Sequence, residues 1–126
     1  ECETARLAAV RHSVDGIKMI RASLAKMQAE IRSGEFGVSG DSDFHAAVAK
    51  AAGNNAMCTI LEQCCDILNS GRYATLTIDG QGEKSLRDHE RIADAIEAGD
   101  EETAIREMKE HIEKAKINIL KKEGLL

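Results

Sequence analysis

Residues 14–32 read VDGIKMIRASLAKMQAEIR, and this stretch has the clearest hydrophobic period in the chain. Large apolar side chains recur there at alternating spacings of three and four residues, at Ile17, Ile20, Leu24, Met27 and Ile31. This spacing places them on one face of an α-helix. Ser13 in front of the stretch is a candidate N-cap, and Ser33 and Gly34 mark its end.

The composition extends the helical prediction to the whole chain. The 126 residues include no proline and no tryptophan, and only 2% are aromatic. Strands favour aromatic and β-branched residues, whereas proline interrupts helices. With 43% hydrophobic and 31% charged residues, the chain has enough apolar material for one folded domain, residues 1–126.

Similar apolar patterns predict further helices on both sides of the first stretch. Two glycine-containing loops, residues 34–40 and 75–82, separate some of them, and the second loop is predicted to include a short extended piece. The predicted helices cover residues 1–12, 41–52, 56–72 and 83–98, and a last one begins at residue 101. With residues 14–32 this gives an all-α antiparallel bundle of about six helices.

Charge and cysteine usage exclude several classes of protein. The net charge is −5, from 17 basic and 22 acidic residues, so the chain lacks the basic surface with which proteins bind nucleic acid. Charged residues interrupt every apolar run near the start, so we expect no signal peptide, no membrane span and a cytoplasmic location. The cysteines lack metal-site spacing. We expect Cys58, Cys64 and Cys65 to be reduced and buried among Met57, Leu61 and Leu68.

Three of the four histidines lie on predicted inward faces of three different helices. They are His45, His89 and His111. A buried imidazole needs polar partners, and Asp41 stands one helical turn before His45 on the same helix face. If the three helices converge, one carboxylate and three imidazoles can bind a divalent metal ion such as zinc or nickel. Each histidine taken alone is more often an ordinary core or surface residue than a metal ligand.

Four short motifs occur in order along the chain. E-x-x-x-A-x-x-A-A-x-R covers residues 1–11, and D-x-x-F-H covers 41–45. H-x-x-I-x-x-A-I-x-x-G-D covers residues 89–100, and A-x-x-x-M-x-x-H covers 104–111. Through these motifs the chain resembles, over nearly its whole length, the FCD effector-binding domain of the FadR subfamily of GntR transcription regulators.

The resemblance implies a site and a function. In metal-binding members of the family, the aspartate and the three histidines of these motifs hold a divalent ion. All four have counterparts here: Asp41, His45, His89 and His111. A small carboxylate effector, such as a hydroxy acid, a sugar acid or a dicarboxylate, is then expected at or near the ion. In the intact homodimeric regulator, its binding alters operator binding by an N-terminal winged helix-turn-helix domain. The full histidine set argues against a fatty acyl-CoA ligand.

The chain departs from the family pattern in two ways. The winged domain is absent from the 126 residues, so we expect a fragment that contacts DNA only through that missing domain. Residue 88 is aspartate where the family commonly has glutamate before the histidine.

Three arginines are candidates for contacting the effector. Arg72 falls on the same helical stripe as Cys58, Leu61, Cys65 and Leu68, so its guanidinium can fork a carboxylate at the inner edge of that helix. An arginine that extends from a helix end to solvent explains the same position. Arg6 and Arg11 on the first helix are further candidates, and helix packing explains Arg11 equally well.

Two other functions remain open at this point. A metal ion held by three histidines and a carboxylate can activate water, which would make the chain a metal-dependent hydrolase. No general base lies beside the ligands on the inward faces, because Glu90 points about a quarter turn away from His89. A helical bundle without any ligand would keep the histidines as core polar groups. The sequence therefore favours a sensor without enzymatic activity.

Overall fold

The computed structural model describes all 126 residues, which form seven α-helices and no β-strand. None of the helices combines the length and the apolar composition that crossing a membrane requires. The helices are α1 (Cys2–Arg11), α2 (Val14–Arg32), α3 (Val38–Ala52), α4 (Asn55–Gln63), α5 (Cys65–Leu76), α6 (Gln81–Glu97) and α7 (Glu101–Lys122). The all-α bundle predicted from the sequence is confirmed.

Helix α2 forms as its period predicts. The hydroxyl of Ser13 caps it by accepting the Gly16 N–H at 3.1 Å, which satisfies one of the free amides of the first turn. Its face contributes Ile20, Leu24 and Met27 to the core, while Ile31 is half-buried against it.

Small residues bring the helices close together around α1 and α3. Helix α1 buries Ala5, Ala8 and Ala9 completely and packs against α3, α6 and α7. Helix α3 packs along α2, where Gly40 faces the backbone of Met27 so closely that a β-carbon would lie 2.5 Å from its Cα. Because α3 lies between α1, α2 and α5, polar side chains on its inner face are enclosed by other helices.

The helix predicted over residues 56–72 is in fact two helices. Cys64 has φ −93° and ψ 2°. Its N–H points both to the Ile60 carbonyl, one turn back, and to the nearer Glu62 carbonyl, whereas an N–H inside an α-helix bonds only to the carbonyl one turn back. The chain then restarts as α5, which continues to Leu76. The break gives seven helices where about six were expected.

Two further boundaries differ from the prediction. Helix α3 starts at Val38, before Asp41, because Gly37 adopts a left-handed conformation and the Glu30 carboxylate accepts the Gly40 N–H at 2.6 Å. Residues 77–80 form a tight turn, in which Ile78 donates to the Thr75 carbonyl and Gln81 to that of Ile78. The expected extended piece is therefore wrong.

The prediction that the cysteine cluster is buried was also wrong. Cys64 and Cys65 are exposed, and Cys58 is half-buried. Helix α4 lies at the edge of the bundle and buries none of its residues. The stripe formed by Cys58, Leu61, Cys65 and Leu68 lines a cavity of about 240 Å³ between α3 and the α4–α5 pair, so it faces inward without joining the core.

Candidate metal centre

Four side chains of types that can bind a metal ion converge inside the bundle. Helix α3 supplies Asp41 and His45 one turn apart, α6 supplies His89 and α7 supplies His111. None of the four residues is more than 6% exposed. One ligand atom from each residue can be chosen so that all lie within 4.8 Å of one another.

The distances within the cluster suit one small ion. Nε2 of His89 lies 3.1 Å from Nε2 of His111 and 3.2 Å from Oδ1 of Asp41. Nε2 of His45 lies 3.8 Å from Oδ2 of Asp41. Nitrogen and oxygen ligands bound tetrahedrally at about 2.0–2.1 Å are about 3.3 Å apart. The donor set and its spacing therefore fit a divalent transition metal.

His89 is held in the form that binds metals. It is completely buried, and its ring stacks on Phe44 with centroids 4.0 Å apart. Burial lowers the pKa of His89 well below its ordinary value, and the positive charges of His45, His111 and Arg72 lower it further. The imidazole is neutral at physiological pH, so one of its ring nitrogens keeps a lone pair for a ligand bond.

Glu1 and Arg72 adjoin the cluster on the side of α5. Oε1 of Glu1 lies 2.6 Å from Nδ1 of His45, and Nη2 of Arg72 lies 3.6 Å from the same oxygen. Nε of Arg72 lies 3.2 Å from Oδ2 of Asp41. Burial raises the pKa of Glu1, but the charges of His45 and Arg72 outweigh it and lower the pKa to about 2.

Asp88 supports the cluster from behind His111. This aspartate is 5% exposed, and its Oδ2 lies 3.4 Å from Nδ1 of His111. Its other oxygen accepts a hydrogen bond from Lys114 at 3.1 Å and pairs with Arg91. Burial raises the pKa of Asp88, and the bonds from His111 and Lys114 reverse this and lower it. An ionised Asp88 favours the proton on Nδ1 of His111, which leaves Nε2 with the lone pair that a metal ion would need.

A cavity of about 300 Å³ opens on the cluster between α5 and α7. Three of the four cluster residues, Asp41, His45 and His111, form part of its wall. Arg72 lines both this cavity and the smaller one beneath α4, and its side chain is only 15% exposed. Apolar residues cover much of the remaining wall: Ile67, Leu68, Leu76, Ile112, Ala115 and Ile119.

A comparison with models of protein families shows the family of the chain. The FCD domain model matches residues 1–114, which include all four cluster residues. The chain belongs to the FCD family. FCD domains are regulatory, effector-binding domains of GntR-family transcription regulators. No curated protein matches the chain.

In this FCD domain the arginines predicted as effector contacts lie in different places. Arg72 lines the cavity beside the cluster. Arg6 instead pairs with Glu3 and Glu101 near the surface, on the outer side of α1. Arg11 is exposed, and its guanidinium lies against Gly53. The structure brings only Arg72 to the cluster.

Two residues of the FCD domain matter at the site but were not singled out in the sequence. Glu1 was used only as the first letter of a motif, and Asp88 only as a departure from the family pattern. Sequence signals for both were available. Glu1 lies three residues before Thr4, which begins the buried face of α1, and Asp88 lies four residues before Ile92 on the buried face of α6.

Proposed function

We propose that the chain is the sensing domain of a GntR/FadR-type transcription regulator, and that it binds a divalent metal ion together with a small carboxylate effector. One observation carries the proposal. A buried aspartate and three buried histidines meet within 4.8 Å beside a cavity lined by an arginine, in a chain of the FCD family. Buried polar groups without such a role would destabilise the folded protein.

Asp41, His45, His89 and His111 are the proposed ligands of the ion. Imidazole and carboxylate suit zinc, nickel and other divalent transition metals, so the donor set points to this class. When bound, the ion would supply a positive charge, and an ion that takes five or six ligands would have positions beyond these four residues that a carboxylate oxygen can fill. Asp88 orients His111, and Phe44 fixes the ring plane of His89.

Arg72 is the proposed protein contact of the effector carboxylate. Its guanidinium lies at the cavity wall within 3.2 Å of Asp41, so an anion in the cavity can contact both the ion and the arginine. The prediction that Arg6 and Arg11 contact the effector stays a prediction, and neither of them lines this cavity.

The proposed output is a change in operator binding. We expect the regulator to be a cytoplasmic homodimer that contacts DNA through a winged helix-turn-helix domain. An effector changes such a protein only if it binds one arrangement of the dimer more tightly than the other. The regulatory role of FCD domains favours this sensor over the metal-dependent hydrolase.

Metal analysis combined with calorimetry tests the proposal. The purified chain is loaded with zinc or nickel, dialysed, analysed for metal and titrated with lactate, malate and gluconate. We expect about one equivalent of metal and reversible binding of at least one carboxylate without turnover. His89→Ala should lose both metal and carboxylate binding.

His12→Ala is the matched control, because His12 ends α1 at the surface and the only hydrogen-bond partner of its ring is the Ala9 carbonyl. This variant should keep the metal and the affinity for the carboxylate. A wild-type chain that retains no metal, or a metal content unchanged in His89→Ala, contradicts the proposed site.

A further inference from the structure

Four buried polar side-chain atoms lack a well-directed hydrogen bond. Three of them, Oδ2 of Asp41, Nδ1 of His45 and Nδ1 of His89, belong to residues of the metal cluster. The fourth is Oγ1 of Thr75, in a residue that is only 4% exposed. A buried hydroxyl without a partner is costly in a folded protein, so this one calls for an explanation.

The other threonines show how unusual Thr75 is. In a helix, a threonine hydroxyl ordinarily bonds to a carbonyl one turn back, as Thr59 does to Asn55 and Thr77 does to Tyr73, both at 2.9 Å. Thr4 and Thr103 also have partners. Thr75 lies in the same helix as Arg72, yet no such bond forms.

The position of Thr75 suggests a partner that is not part of the chain. Thr75 and Arg72 are three residues apart on α5, so their side chains lie on one helix face. Both residues line the 300 Å³ cavity that opens on the metal cluster. The site therefore offers a guanidinium and, one turn along, a hydroxyl that is free to donate and to accept.

The rest of the cavity wall, apart from Glu1, Lys116 and Gly71, is apolar and restricts the body of the ligand. Ile67, Ile112 and Ile119 belong to it, and they offer no hydrogen bonds to a polyhydroxylated chain. Transfer of several ligand hydroxyls into such surroundings costs free energy for each one left unpaired. The wall suits a short aliphatic body with one polar substituent.

We propose that Thr75 is a specificity-determining residue, and that the effector is a small aliphatic carboxylate whose single hydroxyl or keto group bonds to Oγ1 of Thr75. This inference rests on the proposed function, because it places the carboxylate of the ligand at the ion and Arg72. A site with a buried hydrogen-bonding group disfavours an analogue without the matching group, since the protein atom is then left unpaired. Sugar acids are disfavoured by the apolar wall.

The test compares butyrate, α-hydroxybutyrate, β-hydroxybutyrate and gluconate on the zinc-loaded chain by calorimetry. The variants are Thr75→Val, which keeps the shape of the side chain, and Thr75→Ser, which keeps the hydroxyl. We expect Thr75→Val to weaken binding of one of the two hydroxybutyrates about threefold to tenfold while leaving butyrate unchanged. Thr75→Ser should restore most of the preference, and gluconate should bind more weakly than the hydroxybutyrates.

Comparing the variants also distinguishes a preference for hydroxylated acids that comes from Thr75 from one that comes from the metal ion. An α-hydroxyl can bind the ion directly, and a preference of that origin persists in Thr75→Val. Thr77→Val is the control, because the Thr77 hydroxyl bonds to the Tyr73 carbonyl and lies outside the cavity wall. It should leave the affinity for every probe unchanged. Thermal melts should show Thr75→Val to be folded, since it removes a hydroxyl that has no partner.

The outcomes distinguish this inference from the function on which it rests. If the carboxylates bind, and Thr75→Val has the same affinities for hydroxylated and plain acids as the wild type, the proposed role of Thr75 is contradicted. The proposed sensor function is then unaffected. If gluconate binds best, the predicted ligand class is wrong. If no carboxylate binds the zinc-loaded wild type, both proposals fail together.

Discussion

Asp88 contacts the proposed metal site without belonging to it. Its carboxylate lies against Nδ1 of His111 and is itself held by Lys114, so in the proposed site it would fix both the tautomer and the ring orientation of His111. We predict that Asp88→Asn lowers zinc affinity about tenfold or more, measured by competition with a chelating dye. The loss is expected because the neutral amide stabilises the tautomer of His111 less than a carboxylate does.

Glu90→Gln is the matched control for this prediction. Glu90 lies on the same helix but is exposed, and it should leave zinc affinity unchanged. Melting of the metal-free variants separates positioning from folding. If Asp88→Asn weakens zinc binding no more than Glu90→Gln does, Asp88 has no role in orienting His111.

Arg72 has a second test at the level of one side chain. The guanidinium contacts Asp41, Glu1 and Asn69 through different nitrogens, an arrangement that a lysine ammonium cannot reproduce. We predict that Arg72→Lys lowers carboxylate affinity at least about tenfold while zinc stoichiometry stays the same. Calorimetry and metal analysis measure the two quantities. If Arg72→Lys lowers the zinc stoichiometry as well as the carboxylate affinity, Arg72 holds the metal ligands in place instead of contacting the effector.

Two helical glycines differ in what surrounds them, and their substitution tests the packing of α3. A β-carbon on Gly40 would lie 2.5 Å from Cα of Met27, a backbone atom that cannot move aside. We predict that Gly40→Ala lowers the free energy of unfolding by about 3 kcal/mol or more. Because α3 carries Asp41 and His45, the same variant should also lose zinc affinity.

Gly71 provides the opposite case in α5. The nearest atom to a β-carbon there would be Cδ1 of Ile119 at 3.4 Å, which is ordinary contact. We predict that Gly71→Ala raises the free energy of unfolding by about 0.5–1 kcal/mol, because alanine is the better helix former. Urea denaturation measures both variants. Equal effects of the two substitutions would contradict the close approach of α2 and α3.

Helices α2 and α3 show how far a sequence can predict structure. The period of α2 predicted its buried face, and the spacing of Asp41 and His45 predicted their common face, because both are local properties of a helix. The break at Cys64 depends on how the edge of the bundle packs, and no residue type marks it. The contact between His89 on α6 and His111 on α7 depends on how the helices pack. The residue types suggested this contact, but their spacing along the sequence could not establish it.

At the scale of the whole molecule, the proposed ion joins three helices that are distant in sequence. Its ligands lie on α3, α6 and α7, so binding stabilises the folded state and not the unfolded one. At a free zinc concentration about 100 times the dissociation constant, the gain is about 2.7 kcal/mol. We predict a rise of about 10 °C in melting temperature that a chelator reverses. In His89→Ala, zinc should have no such effect, and a similar rise there would place the ion elsewhere.

The α4–α5 pair is the part of the molecule best placed to respond to an effector. Helix α4 buries no residue, whereas α3 buries nine, so few contacts oppose local opening of α4 and the first turns of α5. Arg72 and Thr75 lie on the more buried end of α5, so a ligand held by both would tie this pair to the metal cluster. Hydrogen exchange can follow the change without knowledge of the operator.

We predict that amides of residues 55–70 exchange faster than those of α3 in the free protein, and that zinc with a bound hydroxybutyrate slows exchange in α5. Zinc alone should protect α3, α6 and α7 more than α5, because the four ligands lie on those three helices. The difference between the two patterns isolates what the effector adds, which is the differential binding that regulation requires. If residues 55–70 are as protected as α3 before any ligand is added, the α4–α5 pair is not the responsive element.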